Sequence, residues 1–322
     1  MNTIERIRFL ADLDRYLELL KKLGPEPSVG LPFGPSNGNM PHVWFVDSVS
    51  GNTNNSGVRP NEALTTIDAA VGKCTASRGD IIVALPGHVE TVTAANGLDL
   101  DVAGITLIGV GQGADRPTVN LTTAVAASMR INAASVRMEN ILITGGFDNI
   151  TRVLDINGVV DVELLDIEYR DVTGQCAIFL HARDGSDRLH ISGLKYLGAA
   201  AAGTTRALQL DGCDDLHLEN FYIYGNFSTS AVDFITTLSA RIWVHDGFVW
   251  TENAADLCFV DTITGSTGSF ARLNLVLQDN AANVTEAITG LTFQIVDQNG
   301  VHVVNLVNEK AMLINWTETT DA

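Results

Sequence analysis

The 322-residue chain reads as an all-β solenoid: a parallel β-helix body, an amphipathic helix ahead of it and a β-rich cap behind it. Three observations carry that reading. From about residue 80 onward, short strands recur between Gly, Asn and Asp turns, with almost no helical periodicity. The segments VDVELLDIEYRD, DRLHISGLKYLG and DDLHLENFYIYGN share one cadence; their inward apolar residue falls in a series Val136, Val162, Leu189, Leu216, Ile242 and Phe270, with separations of 26, 27, 27, 26 and 28. A further strand precedes several of these, ending at Ile156, Leu180, Leu210, Phe234 and Val260. A period in the twenties with two or three short strands suits stacked coils, because one coil cannot bury its own interior whereas a stack can. Leucine-rich repeats would need an L-x-x-L-x-L-x-x-N signature, and propeller blades a period of about forty residues.

The elements follow in order. Residues 2–24, NTIERIRFLADLDRYLELLKKLG, place Phe9, Leu13, Tyr16, Leu20 and Leu23 at alternating four and three spacing, and Ile4, Ile7, Leu10 and Leu17 widen that face. Asn2 and Thr3 offer N-caps, Lys21 and Lys22 suit the last turn, and Gly24-Pro25 stops the helix. These nine apolar residues are the candidate attachment or oligomerisation surface. Residues 25–41 carry five prolines among glycines and form a tether. VWFVDSVSGNT then opens in β structure, and NEALTTIDAAVGKCTA has the spacing of a short helix through Ala63, Leu64, Ile67, Ala70, Val71 and Cys74. GDIIVALPGHVET is a strand ending in Pro-Gly. From about Thr285 the coil period is lost, and Asn299-Gly300 predicts a hairpin. Three regions result: helix and tether 1–41, body 42–284, and a C-terminal β cap or oligomerisation segment 285–322.

FVDSVSGNTNNSGVRPNEALTTIDAAV, GDIIVALPGHVET, GITLIGVGQGADRPTVNL and the coils that follow give a stretch, from about Val43 to Leu277, that resembles the right-handed parallel β-helices of the pectate-lyase-like superfamily. The resemblance implies that the first pieces cap the open end of the barrel. It also implies a corner column, here Asn140, Asp166, Gly193, Asn220 and Asp246, of residues that tolerate tight-turn backbone. The scaffold hosts lyases, hydrolases, esterases, adhesins and viral spikes, so it speaks to fold more than to function.

Composition excludes several classes. With 38 acidic and 20 basic residues the net charge is −18, which repels phosphate backbones and anionic membrane surfaces, so neither nucleic acid nor membrane is an expected partner. The four cysteines, Cys74, Cys176, Cys213 and Cys258, form no C-x-x-C and read as buried free thiols. No signal-peptide core and no apolar run near eighteen residues is present, which leads us to expect folding in a cytoplasm.

Stacking turns outward positions into columns about 4.8 Å apart per step. One column runs Arg137, Glu163, His190, His217 and Trp243. With no third ligand evident, the His190–His217 pair reads as charged surface rather than a metal site. Asp211, Asp214 and Asp215, with Asp233 on the next coil, are the candidate acids for glycoside chemistry, although DG and DD between strands are what a turn demands. The N-T-D, G-H-G and R-I-K elements of polygalacturonase-like hydrolases are missing: Gly87-His88 is followed by Val89. Arg170, Arg183, Arg188, Lys195 and Arg206 are too scattered for the basic groove of a pectate lyase. GVGQGADR lacks the P-loop lysine, and no G-x-S-x-G elbow occurs. No catalytic residue, metal or cofactor is therefore assigned.

A β-helix without a catalytic set and with a tethered helix is similar to virion proteins of tailed phages: head decoration proteins, head fibres and tailspikes. That similarity implies a non-enzymatic virion structural protein, assembled in a host cytoplasm as a homotrimer. Its partners would be the major capsid protein or a tail component, joined through residues 1–24, and a host surface glycan. The competing expectation is a carbohydrate-active β-helix enzyme, a tailspike-type depolymerase or glycoside hydrolase, with acids between Asp211 and Asp233.

Overall fold

The computed structural model describes residues 41–171, 176–198, 204–252, 257–277, 288–295, 301–305 and 310–313. The predicted helix with Ile4, Ile7, Phe9, Leu10, Leu13, Tyr16, Leu17, Leu20 and Leu23, and nearly all of the tether, lie outside the described residues.

The body is a parallel β-helix, whose strands assemble into a 17-stranded and an eight-stranded sheet. One coil shows the plan. Strand Thr204–Leu210 lies in the small sheet, the chain turns through Asp211–Asp215, strand His217–Gly225 crosses the large sheet, and Phe227–Phe234 returns to the small sheet one rung on. Parallel register carries this from coil to coil, with Glu163 beside Arg137 and His190, and His217 beside His190 and Trp243. The outward column read from the sequence is therefore the observed one. In the earlier coils the large-sheet segment is two short strands, such as Glu163–Leu165 and Glu168–Asp171. From His217 onward they merge into single bent strands, Ile242–Thr251 and Thr267–Leu277 among them.

The bend is made by one residue per coil. Asn140, Asp166, Gly193, Asn220 and Asp246 have φ of 56°, 51°, 73°, 51° and 53°, and Arg272 continues the column at 50°. Asn, Asp and Gly reach this left-handed region at lower cost than other residues, and Asn140 also donates from Nδ2 to the carbonyls of Gly109 and Gly111. A second left-handed column, Ser135, Asp161, Arg188, Asp215 and Arg241, marks the turn into the large sheet. There Arg188 pairs with Asp161 at 2.5 Å and Arg241 with Asp215 at 2.6 Å, an exposed ladder of alternating charge.

Inside, Val136, Val162, Leu189, Leu216 and Ile242 are all at most 2% exposed. Register continues this column to Gly268, not to Phe270, which stacks on Val244 instead. A Cβ at residue 268 would lie 2.3 Å from the Ile242 carbonyl oxygen, so the position takes glycine and an alignment on apolar residues slips past it. A ladder of buried rings, Phe179, Tyr169, Tyr196 and Phe227, fills the middle of the barrel at centroid spacings of 4.8, 5.2 and 5.7 Å. Cys176, Cys213 and Cys258 are buried and unbridged, and Cys74 is half-buried and free.

At the open end the predicted Ala63–Cys74 helix is shorter. Pro60–Glu62 forms a 3-10 turn, Leu64 is extended and bridges to Val46, and only Ile67–Val71 is helical. The Thr66 hydroxyl accepts from Ala69 N at 3.1 Å and Glu90 Oε2 accepts from Ile67 N at 2.7 Å, so two N-terminal amides are satisfied while Ile67, Ala70 and Val71 plug the barrel. At the other end the parallel pairing runs one coil past residue 284. Ile288–Thr289 extends the small sheet, and both Thr292–Ile295 and Val301–Asn305 lie parallel to Thr267–Leu277. The hairpin expected at Asn299-Gly300 would have paired those two strands with each other. Instead the antiparallel partner of Val301–Asn305 is Lys310–Leu313.

The corner column makes a direct prediction. Asn220→Val, a β-branched residue forced to φ 51°, should lower stability by roughly 1–2 kcal/mol, whereas Asn220→Gly should sit within a few tenths. Denaturant unfolding of the two variants checks it: equal midpoints would refute the role given to the corner.

Candidate functional site

The corner residue resets strand alternation. Leu218 and Phe221, three apart, both point inward, so His217 and Glu219 face out before the corner and Tyr222 and Tyr224 after it. The next coil presents Trp243, His245, Phe248 and Trp250 at the register-matched positions. Gly247 lets the two coils close up, since a Cβ there would fall 2.0 Å from the Phe221 ring. The register neighbours of these residues are His190, Ser192, Lys195 and Leu197 on one side and Ser269, Ala271, Asn274 and Val276 on the other, so the aromatic rings are concentrated on two coils.

The result is an aromatic strip with a polar knot. Tyr222 and Phe248 stack at 5.1 Å with 5° between planes, Tyr224 meets Trp250 edge-on at 6.2 Å, and Trp243 lies 5.4 Å from His245. Trp243 and Tyr222 remain 37% and 38% exposed, high for rings that stack on neighbours. The Tyr224 hydroxyl donates to Glu252, which pushes its pKa up to about 12, with burial adding to the effect.

The knot gathers three histidines around one carboxylate. His190 Nε2 lies 3.2 Å from Glu219 Oε1, while Glu219 Oε2 lies 3.4 Å from His245 Nε2 and 3.8 Å from His217 Nε2. The Nε2 atoms of His217 and His245 are 2.7 Å apart. His245 is nearly buried, and its Nδ1–H donates to Asp246 Oδ2 at 2.6 Å; Asp246 in turn accepts from Arg272 Nε and Nη2, each at 2.6 Å. Burial holds the His217 imidazole below the usual histidine range, His190 and His245 act the same way, and Glu219 opposes them. For Glu219 burial alone would raise the pKa, but hydrogen bonds from His190 and Ser192 outweigh it and hold the carboxyl below its usual value. Hydrogen bonds from Arg272 and then His245 keep Asp246 well below the usual carboxylate range.

On the sequence the His190–His217 pair reads as charged surface with no third ligand evident. The two rings do stack, at 5.0 Å, but the third and fourth groups come from the neighbouring column, where Glu219 faces His245. The HLEN stretch and VHD one coil on were the available signal.

The acids proposed for glycoside chemistry have other work. Asp211 Oδ1 accepts from Thr237 N at 3.0 Å, Asp214 Oδ1 from Ala240 N at 2.8 Å, and Asp215 pairs with Arg241, so each ties its turn to the next coil. Asp233 is fully buried, with Arg206 at 2.6 Å and the Thr262 hydroxyl at 2.8 Å. It ends a buried polar ladder on the small sheet, Asp155, His181, Gln209 and Asp233. Arg206 Nη1 donates to Gln209 Oε1, which turns the Gln209 amide so that it donates to His181 Nε2 at 3.0 Å. His181 is thus the neutral Nδ1–H tautomer. Burial pushes its pKa down to about 4, Arg152 and Arg183 add to that, and Asp155 and Asp211 oppose it.

No known protein family and no curated protein matches this chain. Among solved structures, a rhamnogalacturonan lyase matches at 11% identity over 85% of this chain and 89% of its own, with a TM-score of 0.47. A GH136 lacto-N-biosidase from Eubacterium ramulus matches at 10% identity over 82% of this chain and 68% of its own, TM-score 0.41. An endo-xylogalacturonan hydrolase from Aspergillus tubingensis matches at 11% over 81% and 95%, TM-score 0.39. At these identities and TM-scores the likenesses assign nothing to this chain.

The small-sheet ladder predicts a pH dependence. Because the folded pKa of His181 lies below the unfolded 6.5, the unfolded chain takes up the proton first, and stability falls as pH drops from about 6.5 toward 4. Thermal unfolding of wild type should show that decline between pH 6.5 and 5, and His181→Gln should flatten it; an unchanged slope would refute the assignment.

Proposed function

We propose that this chain is a carbohydrate-active β-helix protein that takes an extended, neutral glycan along the outer face of its large sheet. The aromatic strip is the observation that carries the reading. Pyranose rings present flat C–H faces, and aromatic rings with polar groups between them provide the matching surface: apolar area for stacking, a few convergent hydrogen-bonding groups for orientation. Along the bent strand from Trp243 to Trp250 the outward side chains span roughly 20 Å, room for several sugar units. Net charge of −18 works against a polyanionic chain. Lys195, the register neighbour of Tyr222, is paired with Glu168, as are Arg116 and Arg170, and Arg272 is paired with Asp246.

Glu219 and Glu252 are carboxylates beside the strip, whereas Asp211 is tied into its turn and Asp233 is fully buried. Attachment to a virion through residues 1–24, with a capsid or tail partner and a trimeric assembly, draws on the sequence alone, since that segment lies outside the described residues. Its test is deletion of residues 1–24, which should abolish particle attachment while leaving the β-helix folded.

The glycan reading is tested by affinity electrophoresis and calorimetry on a panel of neutral and acidic polysaccharides, with mass spectrometry of any oligosaccharide released. At least one neutral polysaccharide should retard the protein, and Trp243→Ala and Tyr222→Ala should each weaken binding about tenfold or more, equivalent to about 1.4 kcal/mol. No retardation by any neutral polysaccharide, or alanine variants that bind as wild type does, would sink the reading.

A further inference from the structure

We propose that His217, Glu219 and His245 form a binding site for one divalent cation of the zinc class, a site independent of any glycan. The nitrogen and oxygen donors of these three residues all lie within 4.8 Å of one another. Two imidazole nitrogens and a carboxylate oxygen are the donor set that zinc and its borderline neighbours favour. Calcium and magnesium, which want oxygen ligands throughout, are poorly served by it.

Geometry supports the set beyond proximity. Asp246 accepts the Nδ1 proton of His245, so the lone pair on Nε2 is the one turned toward Glu219 and His217. A carboxylate behind the far nitrogen of an imidazole is the arrangement by which proteins orient and strengthen a metal-binding histidine. Arg272 locks that carboxylate, and the left-handed backbone of Asp246 at φ 53° places it. Glu219 is oriented too, because His190 holds its other oxygen. The three donors sit on adjacent rungs of one sheet, with Glu219 directly opposite His245 and His217 two residues before Glu219 on the same face. Strand spacing rather than loop conformation therefore sets their separation.

The distances are those of a slightly closed polyhedron. Donor separations of 2.7, 3.4 and 3.8 Å bracket the roughly 3.3 Å edge of a tetrahedron with bonds of about 2.0 Å, so side-chain rotation of a few tenths of an ångström opens the site. Three protein ligands leave a fourth position. His217 is the most exposed of the three, and the Trp243 ring lies 5.4 Å from that of His245. Three protein donors plus an exchangeable position is the pattern of a site that presents a cation to a ligand, not of one that only braces the fold.

The test uses the full chain without glycan. Protein dialysed against a chelator and then titrated with Zn²⁺ by calorimetry should bind about one equivalent, and Co²⁺ should give the strong visible absorption of a low-coordinate site. His245→Ala and Glu219→Ala should abolish binding, and Asp246→Asn should weaken it about 10- to 100-fold. His42→Ala, far along the chain, should bind as wild type does. Circular dichroism and thermal unfolding confirm that each variant is folded. Less than a tenth of an equivalent of Zn²⁺ on wild type, retention by folded His245→Ala, or Ca²⁺ binding as tight as Zn²⁺ would each overturn the proposal. Because no glycan is present, failure here leaves the glycan reading standing, and failure of that reading leaves this one.

Discussion

One left-handed residue per coil, stacked at the same place from Asn140 to Arg272, sets which side chains enter the barrel and which face out. A regular strand would alternate strictly, and Leu218 and Phe221 could not both point inward. The corner inserts one extra step, so the chain turns along the barrel wall without losing its inward rows. Parallel pairing then copies that step upward, and each outward row becomes a straight column. Had the left-handed residue fallen one position later in a single coil, every outward residue beyond it would have faced the core.

Much of the acidic excess is absorbed by the same repetition. Carboxylates at the turns, Asp211 and Asp214 among them, accept amide hydrogens from the coil above, so they act as staples between rungs. Exposed pairs such as Arg188–Asp161 add little each, whereas Arg206–Asp233, with the acid fully buried, is a bond whose loss would strand a charge. The small sheet is thus held partly by a buried polar ladder, which specifies register at some cost in desolvation.

The outer knot depends on the corner more than on its own strand positions. Asp246 both turns the chain and holds the His245 imidazole, and Arg272, the next corner residue, braces it. Fold and site are therefore one construction at this point: a change that relaxes the corner also releases the ring. The aromatic strip depends on Gly247 in the same way, because only a residue without Cβ lets Phe221 fill the space beneath it.

The coil period, the inward rows, the outward column from Arg137 to Trp243 and the corner residues were all legible in the sequence, because a parallel solenoid makes spatial neighbours of residues 26 or 27 apart. Slips came where local chemistry broke that count. Gly268 carries no side chain to align, and the strands beside Asn299-Gly300 found partners one coil away instead of across a turn. What lay beyond the sequence was everything diagonal. A period assigns His217 and His245 to different columns, and only rotamers and the Asp246 hydrogen bond bring their nitrogens together. Nor does a period tell which outward column is covered: Asp233 and Glu219 look alike as outward acids, yet one is buried against Arg206 and the other faces the His-rich knot. Repetition along the chain determines the barrel, while side-chain packing between and outside the columns decides where its chemistry can sit.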